Sequence, residues 1–196
     1  MPIILPTSPE PIAPFTPRIV RLRNDVTSLV GGNRQRRGRK GDHYAGVFNM
    51  PPMVPDDASA WRGVLSAGDT VLMNWPQPGL AVGSPGAPRV DGAVQLGSNL
   101  KLKGLTPGYV FRKGQFLSIV TAGRRWLYGA DAEAVANSAG IITIPLEVMI
   151  RTFHNDNDVV EIVQPKIEGL ADYDEDVWQI DDDGYVWTSF TIEERG

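Results

Sequence analysis

Residues 104–151 place short β-branched and aromatic runs so close together that only one kind of sheet can hold them. Gln115–Val120, Trp126–Tyr128 and Ile141–Ile144 have the composition of strands. Arg112-Lys-Gly, Thr121-Ala-Gly-Arg and Asn137-Ser-Ala-Gly punctuate them, each with a glycine available to a turn. A parallel crossover consumes a dozen or more residues, which these gaps do not offer. The strands should therefore close antiparallel, as a small barrel or sandwich. Glycine and proline make about 19% of the 196 residues, against roughly 12% on average, and they fall between the apolar runs. The expected fold class is mainly β, with one short α-helix and an extended Pro-rich N-terminal arm. The arm is assigned to residues 1–17 and a single β-rich domain to 18–196, with its core in 89–164 and an acidic C-terminal hairpin in 172–194.

The arm carries proline at positions 2, 6, 9, 11, 14 and 17. Proline fixes φ and removes the N–H donor, which excludes a helix or a central strand there. Arg18-Ile-Val-Arg-Leu-Arg alternates charged and apolar residues, the pattern of a strand with one wet face. His43–Met50 reads as a strand ending at Pro51-Pro52, and Thr70–Trp75 as a buried one. Between them, residues 56–67 give the one substantial helix signal. Ala58, Trp61 and Leu65 share a face at spacings of three and four, and Asp56 or Asp57 is placed to cap the N-terminus. Arg89–Lys103 resumes the β pattern, with Leu100 and Leu102 on one side and Lys101 and Lys103 on the other. Asp183-Gly184, between Trp178-Gln-Ile and Tyr185-Val-Trp, is a hairpin signal, because glycine accepts the positive φ of the turn.

Charge is polarised along the chain. Residues 1–50 balance to +5, residues 165–196 to −8 and the middle to −1. Ends of opposite sign suit a subunit that meets a neighbouring copy head to side, or two solvated charged faces with no partner. Arg34, Arg36, Arg37, Arg39 and Lys40 lie in a basic loop, and Asp181, Asp182 and Asp183 in the acidic hairpin; these are the candidate subunit-contact residues. Nucleic acid is disfavoured as the loop's partner, since Tyr44 is the one aromatic nearby and the whole chain is acidic. No run of 18 apolar residues is present, so no membrane span is expected. The opening Met-Pro-Ile-Ile-Leu-Pro lacks the basic start and length of a signal peptide. With no cysteine, the chain needs no oxidation and offers no thiolate metal site.

No catalytic motif emerges. An EF-hand register with Gly184 at its sixth position puts Gln179 first and Phe190 twelfth, which fails. Asp172, Asp174 and Asp176 leave room for a looser cation site, or for a charged edge that discourages sheet aggregation. His43 and His154 lie in or beside loops without carboxylates at metal-site spacing. Ser84 in Gly83-Ser-Pro-Gly is not a nucleophile elbow, and the glycine-rich stretches lack the Lys-Ser/Thr of a phosphate loop. The expectation is a protein without catalytic residues, metal or cofactor.

Scattered pieces over residues 27–194 carry a resemblance. They are Thr27-Ser-Leu, Asn49-Met-Pro-Pro-Met, Ala58-Ser-Ala-Trp-Arg and Gly86-Ala-Pro-Arg-Val-Asp-Gly-Ala-Val-Gln-Leu-Gly-Ser-Asn-Leu. Lys113-Gly-Gln-Phe-Leu-Ser-Ile, Arg125-Trp-Leu-Tyr, Ala136-Asn-Ser-Ala-Gly, Ile144-Pro-Leu, Ile150-Arg and Phe190-Thr-Ile-Glu-Glu continue it. Together they resemble the tail-tip structural proteins of long-tailed bacteriophages, of the distal-tail or baseplate type. The resemblance implies a β-barrel or sandwich with a helix beside it, in a homo-oligomeric ring, commonly of six copies. It further implies that the ring joins the tail tube to the hub and receptor-binding parts of the virion, after assembly in the host cytoplasm. The alternative from the residues alone is a monomeric β-sandwich that binds a surface glycan through exposed aromatics among Trp126, Trp178 and Trp187.

Overall fold

The computed structural model describes residues 2–26, 35–38, 41–66, 70–172 and 178–195. In chain order the elements are β1 (Ile3–Ile4), β2 (Ile12–Val20), β3 (Arg23–Val26), β4 (Gln35–Gly38), β5 (His43–Asn49), α1 (Pro55–Leu65), β6 (Thr70–Asn74), β7 (Gly86–Val90) and β8 (Asn99–Leu105). Then follow β9 (Val110–Phe111), β10 (Phe116–Thr121), β11 (Arg124–Gly129), β12 (Ala134–Val135), β13 (Ile142–Pro145) and β14 (Val159–Glu161). The chain closes with β15 (Lys166–Asp172), β16 (Gln179–Ile180), β17 (Val186–Trp187) and β18 (Ser189–Glu194). Among the described residues the protein is mainly β with one helix, the class expected from the sequence.

Strands β10 and β11 form the hairpin expected of the central stretch, with Phe116 opposite Gly129 and Thr121 opposite Arg124. They open a six-stranded antiparallel sheet in the order β11-β10-β14-β7-β8-β13. This sheet curls until its two end strands meet. Ala130 bridges Leu146, Glu147 N–H donates to Gly129 O (2.9 Å) and Asp131 N–H donates to Pro145 O (2.9 Å). The curl encloses Leu100, Leu102, Leu117, Ile119, Ile144 and Val160, all buried. Alternation along β8 gives this directly, with Leu100 and Leu102 inward and Lys101 outward.

The second six-stranded sheet runs β1-β6-β15-β18-β5-β2. All its pairings are antiparallel except that of β1 with β6, which is parallel and two residues long. The arm is therefore not free of the body. Its two strands form the two opposite edges of this sheet, and the expected boundary at residue 17 falls inside β2. Edge positions are where Pro14 and Pro17 are tolerated, since each lacks a donor for an inner ladder. The basic stretch also departs from expectation: residues 35–38 are a strand paired with β3, with Arg36 opposite Asp25, instead of a loop.

Helix α1 lies on the second sheet. Ala58, Trp61 and Leu65 are its buried residues, the face predicted from their spacing. Trp61 is fully buried, packs its indole against Phe190 (5.8 Å) and donates its Nε1–H to the Ser8 carbonyl (3.3 Å). Neither Asp56 nor Asp57 caps the helix. Val54 is the N-cap, without a side-chain bond, and Pro55 opens the first turn. With Pro55 at the first helical position, Asp56 and Asp57 fall two and three residues past the cap, where their charge favours the helix dipole.

Candidate subunit-contact surfaces

The eight residues predicted to meet neighbouring copies divide into three groups. Arg34, Arg39 and Lys40 lie outside the described residues. Arg36 and Arg37 belong to β4, in register with Asp25 and Asn24 of β3. Asp181, Asp182 and Asp183 are exposed in the turn of the β16–β17 hairpin. Their roles there differ. The Asp181 carboxylate accepts the N–H groups of Asp183 (3.1 Å) and Tyr185 (2.7 Å), and its carbonyl accepts Gly184 N–H (3.0 Å). Gly184 adopts φ +83°, the left-handed conformation expected at this turn. Asp181 thus builds the turn, and Asp182 and Asp183 are left to present charge.

Two apolar surfaces stand out, of which the sequence had marked only Trp187. On the barrel, Val94, Leu96, Met149 and Phe153 are each 55–59% exposed. Backbone bonds Val94 N–H to His154 O (3.1 Å) and Ile150 N–H to Gly97 O (2.8 Å) draw these two segments side by side. The alternation of Val94 and Leu96 reads as strand, yet residues 91–98 form no strand and Val94 has φ +60°. Positive φ is sterically costly for a β-branched residue and marks a strained position. The second surface is the terminal hairpin, where Ile180, Tyr185 and Trp187 are exposed. Of the three tryptophans proposed for glycan stacking, Trp187 alone is open; Trp178 is half-buried, and Trp126 lies half-buried under the Arg124 guanidinium (4.1 Å).

A buried polar cluster joins the sheets. Arg151 and Glu194 form an ion pair at 2.9 Å, with both side chains at most 3% exposed. Glu194 also accepts backbone N–H groups from Tyr44 (3.0 Å) of one sheet and Leu127 (2.9 Å) of the other. Burial alone would lower the Arg151 pKa, but the Glu194 carboxylate overrides it and keeps the guanidinium charged. His154, expected in a polar loop, is buried between Thr121 Oγ1 (2.6 Å from Nδ1) and Tyr128 OH (3.1 Å from Nε2). Burial lowers its pKa to about 4, against a weaker upward pull from Asp158. Tyr44, likewise buried, has its pKa raised by burial and by Glu147, to which its hydroxyl donates (3.1 Å). Sequence reasoning missed this cluster because its members lie up to 150 residues apart.

His43 opens β5 and bonds Glu193 (3.0 Å), so neither histidine stands in a free loop. Among the described residues no group of three His, Asp or Glu is arranged to hold a metal ion. Asp174 and Asp176 fall outside the described residues. A cavity of about 420 Å³ opens between the arm and β6, lined largely by apolar residues including Leu5, Leu72, Trp75 and Val82. None of the polar cluster lines it. No protein-family model matches the chain, and no curated protein matches it.

Proposed function

We propose that this chain is a virion structural protein of a bacteriophage tail tip, a distal-tail or baseplate ring subunit that joins the tail tube to the hub and receptor-binding parts. The observation that carries this reading is the pair of separate apolar surfaces, one on the barrel at Val94, Leu96, Met149 and Phe153, the other on the terminal hairpin. Large exposed apolar patches mark interaction sites. Two unlike patches on one subunit suit heterologous, head-to-tail contact, and such contacts close into rings when the rotation permits. The strain at Val94 supports the same reading, since strained backbone persists where function requires it. The resemblance over residues 27–194 supplies the tail context. Charge adds to this: a basic N-terminal portion and an acidic C-terminal portion suit contact between one copy and the next, beyond the Arg18–Glu193 pair that each subunit makes for itself (3.5 Å).

An antibody raised against the chain should decorate one end of the tail in phage particles made by a strain carrying the gene. Decoration of the capsid, or of no particle, contradicts the proposal. A glycan-binding module is the second reading, favoured by the exposed Tyr185 and Trp187 beside Asp181, whose carboxylate lies 3.5 Å from the Trp187 indole nitrogen. It predicts saccharide binding lost on Trp187→Ala, whereas the ring reading predicts weakened assembly.

A further inference from the structure

The N-terminal arm leaves β6 sooner than the strand requires. Ile3 and Ile4 pair with Val71 and Leu72, and the last bond of this ladder is Leu5 N–H to Leu72 O (3.2 Å). On its other side β6 pairs with β15, where Trp75 N–H donates to Pro165 O (2.7 Å). Backbone groups alternate along a strand, so those of Asn74 point to the arm's side. Continued in register, the arm would set Leu5 O against Asn74 N–H and Thr7 N–H against Asn74 O. Pro6 is no obstacle, because its nitrogen would face away from β6, and Pro76 ends the run since it lacks a donor. The arm instead turns off after Leu5 to reach β2 at the opposite edge of the same sheet. The 420 Å³ cavity borders this departure: Leu5, Pro6 and Thr7 of the arm line it together with Leu72 and Asn74 of β6, and it extends past them to Val163 and Lys166.

An arm arriving from elsewhere is under no obligation to turn. We infer that residues 2–11 are exchanged between copies, the arm of one subunit docking along β6 of its neighbour and filling that cavity. The incoming arm gains the two hydrogen bonds at Asn74 that a closed arm forgoes. Leu5, buried even in the closed form, is its apolar anchor. Pro9 and Pro11 limit the conformations open to the bridge between the two subunits. Ile4, 72% exposed when the arm is closed, is then available to the subunit contact. Exchange of an identical element is a low-cost route to assembly because it reuses contacts the subunit already makes. The inference rests on the ring reading above and specifies how the ring is joined.

Cysteine chemistry tests it, since the chain has no cysteine of its own. Ile4→Cys and Leu72→Cys introduce one thiol on each side of the β1–β6 pairing, both facing the cavity. After mild oxidation of the assembled double variant, exchange predicts a ladder of disulfide-linked oligomers on a denaturing gel, collapsing to monomer on reduction. Rings in solution that yield only internally linked monomers overturn exchange and leave the ring reading standing. A protein that is monomeric before oxidation removes the ring reading, and exchange with it. As a second arm, deletion of residues 2–11 should abolish the oligomer; a truncated chain that still assembles overturns the inference.

Discussion

The ion pair between Arg151 and Glu194 sets the sharpest expectations for single residues. Both groups are buried, and Glu194 also accepts one backbone N–H from each sheet. Arg151→Leu removes the cation and leaves the carboxylate uncompensated, which costs about 3–5 kcal/mol. Urea unfolding should show that loss; a change within about 0.5 kcal/mol would place the pair outside the stability of the fold. His154 sets a pH dependence. Its folded pKa of about 4 lies below the ordinary 6.5, so above pH 6.5 both folded and unfolded chains hold it neutral. As pH falls from 6.5 toward 4, the unfolded chain takes up the proton first, and stability declines by about 3 kcal/mol. His154→Gln should remove this component from the acid side of the unfolding profile, and an unchanged profile would contradict it. The other charged and titratable groups facing the imidazole, Asp158, Arg151 and Tyr128, remain in the variant.

Elements repeat the lesson that local pattern is legible and distant pairing is not. The β10–β11 hairpin, the α1 face and the Asp183-Gly184 turn follow from spacings of a few residues and stand where the sequence put them. Trp61 is the element-scale anchor between α1 and the sheet beneath. Trp61→Ala should cost about 3–5 kcal/mol in thermal or urea unfolding, as for any large buried aromatic; unaltered stability would make it a surface residue in effect. What the sequence could not convey was decided by partners far along the chain. Prolines in the arm exclude an inner strand but not an edge one, and β2 pairs at the edge with β5. Alternation at Val94 and Leu96 imitates a strand, yet residues 94–98 meet residues 146–154 through scattered backbone bonds and not through a regular ladder. The buried cluster is built from positions that hydropathy alone would place in loops or at a chain end, and no local period announces it.

At the scale of the whole molecule, the two sheets and the helix bury one continuous core, from Leu5 in the arm to Ile192 in β18. The surface, by contrast, carries exposed apolar side chains at Val94, Leu96 and Met149 and again at Ile180, Tyr185 and Trp187, while Arg18 of the basic portion already meets Glu193 of the acidic one at 3.5 Å. Opposite charge at the two ends of the chain predicts that Arg36→Glu with Arg37→Glu weakens assembly while the isolated subunit keeps its circular dichroism spectrum. Added salt should weaken the native contact in the same direction, to the extent that the charges remain solvated. Unchanged assembly in the double reversal would show that these charges meet no acidic neighbour. The central claim is that the chain functions as one subunit of a closed ring, and mass in solution tests it most directly. Light scattering on the purified chain, across a dilution series into the micromolar range, should give a fixed multiple of 21.4 kDa. A single species of 21.4 kDa at every concentration would contradict it.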